Sequence, residues 1–225
     1  MSPRSTRSAG RTRRTAPARS AAVAAVATAA VVLAGCSTGG DDSGAAVAVR
    51  QDASPLHGTA IQNPYPLPAQ QFTDTAGKTF VPASDAEAPV TLVFFGYTHC
   101  PDVCNVVLAN VASALRRADK QVRDRTQLLF VTTDPQRDTD EVVRGYLDRF
   151  DPAFVGLRAP VAMMKAAAAS LHIAYDGTSK AAGGGYEVNH GTQVTGFRRG
   201  QAAVIWSAET PVADLRADLA ELARS

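Results

Sequence analysis

Sulfur is scarce in this chain: of 225 residues, 3 are cysteine and 3 methionine. Three cysteines allow one internal disulfide and leave an odd thiol to be explained. Acidic side chains are missing before Asp41, so the chain opens on a purely basic leader of Arg4, Arg7, Arg11, Arg13, Arg14 and Arg19. Taking those six from the 23 basic residues leaves 17 against 21 acidic ones, a formal −4. The isoelectric point near 8.5 therefore reflects the leader, and the remainder supports no nucleic-acid role. The apolar run Ala21 to Ala34 stops at 14 residues, short of the roughly 20 a membrane-spanning helix needs. No internal repeat is apparent, which argues against repeat architectures.

What does stand at the start has the order of an export signal. The basic leader and short apolar core end in Leu33-Ala34-Gly35-Cys36, followed by Ser37-Thr38-Gly39-Gly40. Small residues before a cysteine and a polar tail after it resemble a bacterial lipoprotein processing site, where Cys36 becomes the lipid-modified first residue. Residues 1–36 are thus expected to be a signal peptide and 37–67 a flexible tether rich in Gly, Ser, Asp, Ala and Pro. Residues 68–225 would form one domain held at the extracytoplasmic face of the cell membrane. With Cys36 taken by lipid, one cysteine pair remains, in a setting where disulfides persist.

That pair lies in the stretch around which the chain is organised. Val90 to Phe95 is a run of β-branched and aromatic residues that reads as a buried strand ending at Gly96. After the second cysteine, Val106, Val107, Leu108, Val111 and Leu115 recur at helical spacing, so a helix is expected from near Asp102, with Asp102 as its cap. Cys100 and Cys104 would sit where the strand hands over to the first helical turn. Free N–H groups and the positive end of the helix dipole favour thiolate there. Four residues apart on one turn, their Cα atoms would be about 6 Å apart, near enough to clamp one metal or close a disulfide.

Further along, Phe72 to Phe80 reads as a hairpin turning near Ala76-Gly77, and Gln127 to Thr132 as a second buried strand. Thr139 to Phe150 is an amphipathic helix, capped by Asp138 or Thr139. Ala153 to Leu157 is a short apolar segment and Pro160 to Leu171 an alanine-rich helix, with Met163 and Met164 in the core. His172 to Tyr186 reads as irregular, with Gly183-Gly184-Gly185 as a loop or hairpin tip. Thr192 to Phe197 and Ala202 to Trp206 form an antiparallel hairpin, and Val212 to Ala223 a terminal helix. Phe197 and Trp206 belong to the core, while His57 and His172 are expected in solvent. Hairpin, strand, helix, strand, helix, hairpin, helix is the order of an α/β domain with a mixed sheet and helices on both faces, the thioredoxin-like arrangement.

Three motifs, in this order, resemble the Sco/SenC family over roughly residues 68–225: Phe95-Gly96-Tyr97-Thr98-His99-Cys100-Pro101-Asp102-Val103-Cys104, Thr133-Asp134-Pro135-Gln136-Arg137-Asp138-Thr139, and Tyr186-Glu187-Val188-Asn189-His190. The resemblance implies a membrane-anchored thioredoxin-like domain that binds one copper ion and helps assemble the dinuclear copper (CuA) centre of cytochrome c oxidase. Carried over residue by residue, it implies Cys100, Cys104 and His190 as copper ligands. It also implies as partners the oxidase subunit carrying CuA and a copper-donating chaperone. Asn189 stands where the family usually has Asp, and Asn105 where it usually has Pro; neither change removes a ligand.

The residue types argue the same way. Two thiolates and an imidazole suit Cu(I) and tolerate Cu(II), whereas zinc would usually want a fourth ligand. His190, beside Gly191, is expected in a loop able to fold over the cysteines, and His99 at the pocket rim. The main alternative is a thiol–disulfide oxidoreductase using Cys100 and Cys104 as a redox pair. Against it stand three intervening residues instead of two, and the absence of any proline between Pro160 and Pro211. A peroxidase of the peroxiredoxin kind would need a Thr-x-x-Cys site that the chain lacks. The expected product is an assembly factor, not an enzyme with turnover.

Overall fold

The computed structural model describes residues 54–180 and 185–224. The segments expected as export leader and first part of the tether, with Cys36, and Gly183-Gly184 lie outside the described residues. In chain order the strands are β1 (Thr59–Ala60), β2 (Phe72–Asp74), β3 (Thr79–Phe80), β4 (Val90–Gly96), β5 (Thr126–Thr132), β6 (Val155–Arg158), β7 (Tyr175–Lys180), β8 (Tyr186–His190), β9 (Val194–Arg198) and β10 (Gln201–Trp206). The helices are α1 (Pro82–Asp85), α2 (Val103–Arg117), α3 (Lys120–Asp124), α4 (Asp140–Leu147), α5 (Val161–Ser170) and α6 (Val212–Ala223). Among the described residues no helix is long and apolar enough to cross a membrane.

Strand β4 is central because every one of its residues is buried, and only a strand covered on both faces can be continuously apolar. It pairs parallel with β5, Phe94 opposite Phe130 and Gly96 opposite Thr132, and antiparallel with β9. The full sheet runs β1-β10-β9-β4-β5-β6-β2-β3. Side chains alternate along it. Val90, Leu92 and Phe94 pack with residues of α2, α4 and α6, while Val93 and Phe95 pack with α5, Leu67 and Phe72. Helices thus cover both faces, as the thioredoxin-like reading expects, and each fully buried Leu or Phe contributes about 1.5–3 kcal/mol.

The chain joins the sheet earlier than the composition suggests. Residues 37–67 were expected as tether, yet β1 pairs with β10, Leu67 is buried, and Leu67 N donates to Gly200 O at 3.0 Å. Two features explain it. Gly58 lies flush on Trp206, where a Cβ would fall 2.6 Å from the indole. Pro66 lies opposite Gln201 at the start of β10, where Ala202 N donates to Tyr65 O at 2.8 Å and a missing N–H is tolerated. His57, expected in solvent, is half exposed but bonds Asp218 through Nδ1 at 2.8 Å. Buried Asp218 also accepts from the N–H groups of His57 (2.8 Å), Gly58 (2.9 Å) and Trp206 (2.7 Å). His172 is exposed as expected, with its ring edge on Tyr65.

The stretch read as irregular is largely a second, two-stranded sheet of β7 and β8. Its composition hides it. The ribbon pairs with no strand of the main sheet, and most of its side chains face solvent, so only Val188 is buried. His190 is accordingly the last residue of a strand, opposite Tyr175, and not a loop residue.

Candidate functional site

The loops after β4 and β5 meet at the carboxyl ends of the two central strands. They are clamped by one side chain, Asp138, which is fully buried. It accepts from Thr98 N at 3.0 Å, Thr98 Oγ1 at 2.6 Å and Thr132 Oγ1 at 2.5 Å. Thr139, not Asp138, caps α4, accepting from Val142 N at 3.3 Å. The clamp fixes the turn in which Cys100 N donates to Tyr97 O at 3.2 Å, and so fixes the cysteine loop.

Cys100 precedes α2, while Cys104 lies within its first turn. Both are free, buried thiols; Cys100 keeps 9% of its surface exposed and Cys104 none. Asp102 makes no side-chain cap at the helix start. The backbone N–H groups of Asp102, Val103 and Cys104 instead favour the thiolate of Cys100. A thiolate is well served by these orphan donors. The thiol of Cys104 donates to Cys100 and, with the backbone N–H groups, outweighs burial to lower the Cys100 pKa to about 6. Cys104 moves the opposite way, because donating to Cys100 and burial both keep its proton in place. The carboxylate of Asp138 adds to that effect. The pair is a thiolate in front and a thiol behind.

Cys100 opens into a cavity of about 350 Å³ lined also by Tyr97, Pro101, Val103, Val188 and His190. His190 faces it from the far side, half buried, with its ring edge-on to Tyr97 at 5.9 Å between centroids. Its Nδ1 lies 2.7 Å from Gly191 O. A carbonyl can only accept, so Nδ1 carries the hydrogen and Nε2 keeps a free lone pair. Burial lowers the His190 pKa, favouring that neutral form. Cys100 and His190 thus share one cavity with Cys104 directly behind. Among the described residues, no three His, Cys, Asp or Glu side chains are gathered closely enough to hold a metal as they stand. His99 is exposed, bonded to Thr98 Oγ1 at 3.0 Å, and does not line the cavity. Met164 is buried and Met163 partly so, in the core under α5.

Sequence reasoning missed a third group. Tyr186 donates its hydroxyl to Asp134 (2.9 Å), the Arg137 guanidinium pairs with the same carboxylate, and its central carbon lies 3.8 Å from the Tyr186 ring centre. The signal was present as Asp134 and Arg137 three residues apart, but nothing in the order of residues tied them to Tyr186.

The family model described as SCO1/SenC matches residues 59–224. The chain belongs to the SCO1/SenC family. Mitochondrial SCO2 of Saccharomyces cerevisiae is 34% identical over 107 residues, covering 47% of this chain and 34% of that protein. The chain spans only part of the curated relatives it matches, from 25% to 48% of the length of the first three. Among solved structures, apo Sco1 of Thermus thermophilus superimposes with a TM-score of 0.66 at 29% identity, covering 74% of this chain and 96% of that one. Bradyrhizobium japonicum ScoI, solved with copper bound, does so with a TM-score of 0.60 at 29% identity, covering 73% and 98%. The SCO1/SenC match begins at Thr59, where β1 joins the sheet.

Proposed function

We propose that this protein is a copper chaperone that takes one copper ion through Cys100, Cys104 and His190 and passes it to the CuA site of cytochrome c oxidase. The observation that carries the reading is the meeting of a Cys100 thiolate and a free His190 Nε2 across one 350 Å³ cavity. The donor set fits the cargo: two sulfurs hold Cu(I), and an added imidazole makes Cu(II) tolerable. Copper itself supplies the electron-transfer centre of the recipient; this chain holds and orients it. Because His190 reaches in from a separate ribbon, the site can open for a donor chaperone on one side of the exchange and the oxidase subunit on the other. A signal peptide over 1–36 and lipid on Cys36 would keep the domain at the extracytoplasmic face of the cell membrane.

A second reading rests on the same thiols. Cys100, a thiolate backed by a protonated Cys104, is arranged for exchange. It would attack a sulfur of an oxidised CuA pair and release one partner thiolate. Cys104 would then lose its proton and attack Cys100, freeing the second partner sulfur and leaving a Cys100–Cys104 disulfide. Two electrons pass to the partner, and an external dithiol must restore them.

One experiment separates the two. Protein loaded with Cu(I) is mixed anaerobically with a reduced, copper-free CuA fragment, one electron per dinuclear site is then withdrawn with ferricyanide, and the purple mixed-valence CuA absorption is followed. The chaperone reading expects the band to grow and to need Cys100 and Cys104. Failure of transfer, with copper-free protein reducing an oxidised CuA fragment equally well after His190→Ala, would replace it by the reductase reading.

A further inference from the structure

We infer that Asp134, Arg137 and Tyr186 form a clasp that positions His190, holding the β7–β8 ribbon at a set height over the cysteines. The inference rests on His190 being a copper ligand. Along β8, Tyr186, Val188 and His190 turn toward the body of the protein, whereas Glu187 and Asn189 are exposed. Tyr186 and His190 therefore lie on one face, about 13 Å apart at a strand's rise of roughly 3.3 Å per residue. Fixing the first limits where the second can go.

The grip at Tyr186 is specific. Its hydroxyl donates to both oxygens of Asp134, at 2.9 and 3.2 Å, and that carboxylate is 4% exposed. Arg137 pairs with the same carboxylate while its guanidinium lies 3.8 Å from the centre of the Tyr186 ring, so cation and phenol hold each other. Arg137 also reaches within 5.8 Å of the Tyr97 ring, and Tyr97 meets the edge of His190. One arginine thus links the root of β8 to its tip.

Side chains, not backbone pairing with the main sheet, hold the ribbon to the body. It pairs with no strand of the main sheet, and an isolated two-stranded ribbon is marginal in water. Its other anchors are buried Val188, the Tyr97–His190 ring contact, and Tyr175, which packs against the core with Lys165 of α5 5.1 Å from its ring centre. The three ligand side chains are not yet gathered, so the ring must travel to complete a metal site. A side-chain clasp at the far end of the strand lets it travel and brings it back.

Tyr186→Phe tests this, since it keeps the ring over Arg137 and removes only the hydroxyl; Arg137→Gln removes the cation. In metal-free protein, each change should speed amide exchange over Glu187 to His190 by about tenfold, the scale of one charge-assisted hydrogen bond. Each should also weaken the Tyr97–His190 ring contact seen by NMR. Cu(II) release should quicken by about tenfold, with Cu(I) retention within about twofold because the thiolates hold it. Wild-type exchange and ring contacts in both variants would overturn the clasp. So would a loosened ribbon with unchanged Cu(II) release while His190→Ala does quicken it; the ligand reading would then survive alone. Should His190→Ala also leave release unchanged, the ligand reading falls and takes the clasp with it.

Discussion

The thiol of Cys104 donates its hydrogen to the sulfur of Cys100, so two cysteines four residues apart hold one proton unequally. The front sulfur is a thiolate at neutral pH and the back one a thiol. Reactivity should follow that split. Alkylation of Cys100 in the reduced, metal-free protein should rise with pH through a midpoint of about 6. Cys104→Ala removes the donor and should move the midpoint up toward the ordinary value of about 8.5. Iodoacetamide kinetics against pH measure both, and a wild-type midpoint already near 8.5 would contradict the arrangement.

Gly96 ends β4 directly behind the cysteines. A Cβ there would stand 2.9 Å from Phe130, 3.1 Å from Phe94 and 3.2 Å from the sulfur of Cys104. Gly96→Ala should therefore cost about 1–3 kcal/mol through overpacking and displace Cys104. Urea unfolding reads the first effect. The second appears as a raised alkylation midpoint for Cys100, because its donor has moved.

The His57–Asp218 pair makes stability depend on pH in two directions. The hydrogen bond to Asp218 raises the His57 pKa despite some desolvation. Its contribution is complete below the unfolded value of about 6.5 and is lost as pH climbs through the raised folded value. For Asp218, burial pushes upward, but the N–H groups of His57, Trp206 and Gly58 together hold the pKa below its usual place. That contribution is present above about 3.9 and is lost as pH falls through the lowered folded value. The pair should stabilise most between about pH 4 and 6.5. Asp218→Ala, which orphans buried Trp206 and backbone donors, should cost on the order of 3 kcal/mol and flatten the profile. A loss below about 0.5 kcal/mol in denaturant titrations would contradict this.

The parts of the fold that were legible in the residues are those with a long apolar pattern. The run Val90 to Phe95 announced β4, the spacing of Val107, Leu108, Val111 and Leu115 announced α2, and Leu215, Leu219 and Leu222 announced α6. The β7–β8 ribbon was hidden because one face lies in water and only Val188 is buried. The start of the domain was hidden for another reason. Gly58 and the prolines near the sheet edge look like linker composition, yet it is the absence of a side chain that lets residue 58 lie on Trp206. Buried carboxylates were least legible of all. Asp138 reaches a partner 40 residues away and Asp218 one 160 away, and such pairings leave no local trace. At the site itself, cysteines at a helix start were readable from strand and helix periodicity. That the N–H groups at the helix start would serve the Cys100 sulfur, with no cap from Asp102, was not.

The most direct test is X-ray absorption at the copper edge, with stoichiometry, on wild-type protein and His190→Ala. The account predicts one copper per chain, two sulfur scatterers in both proteins, and an imidazole contribution for Cu(II) that disappears in the variant. A copper site without sulfur scattering, or identical Cu(II) spectra with and without the imidazole, would contradict it.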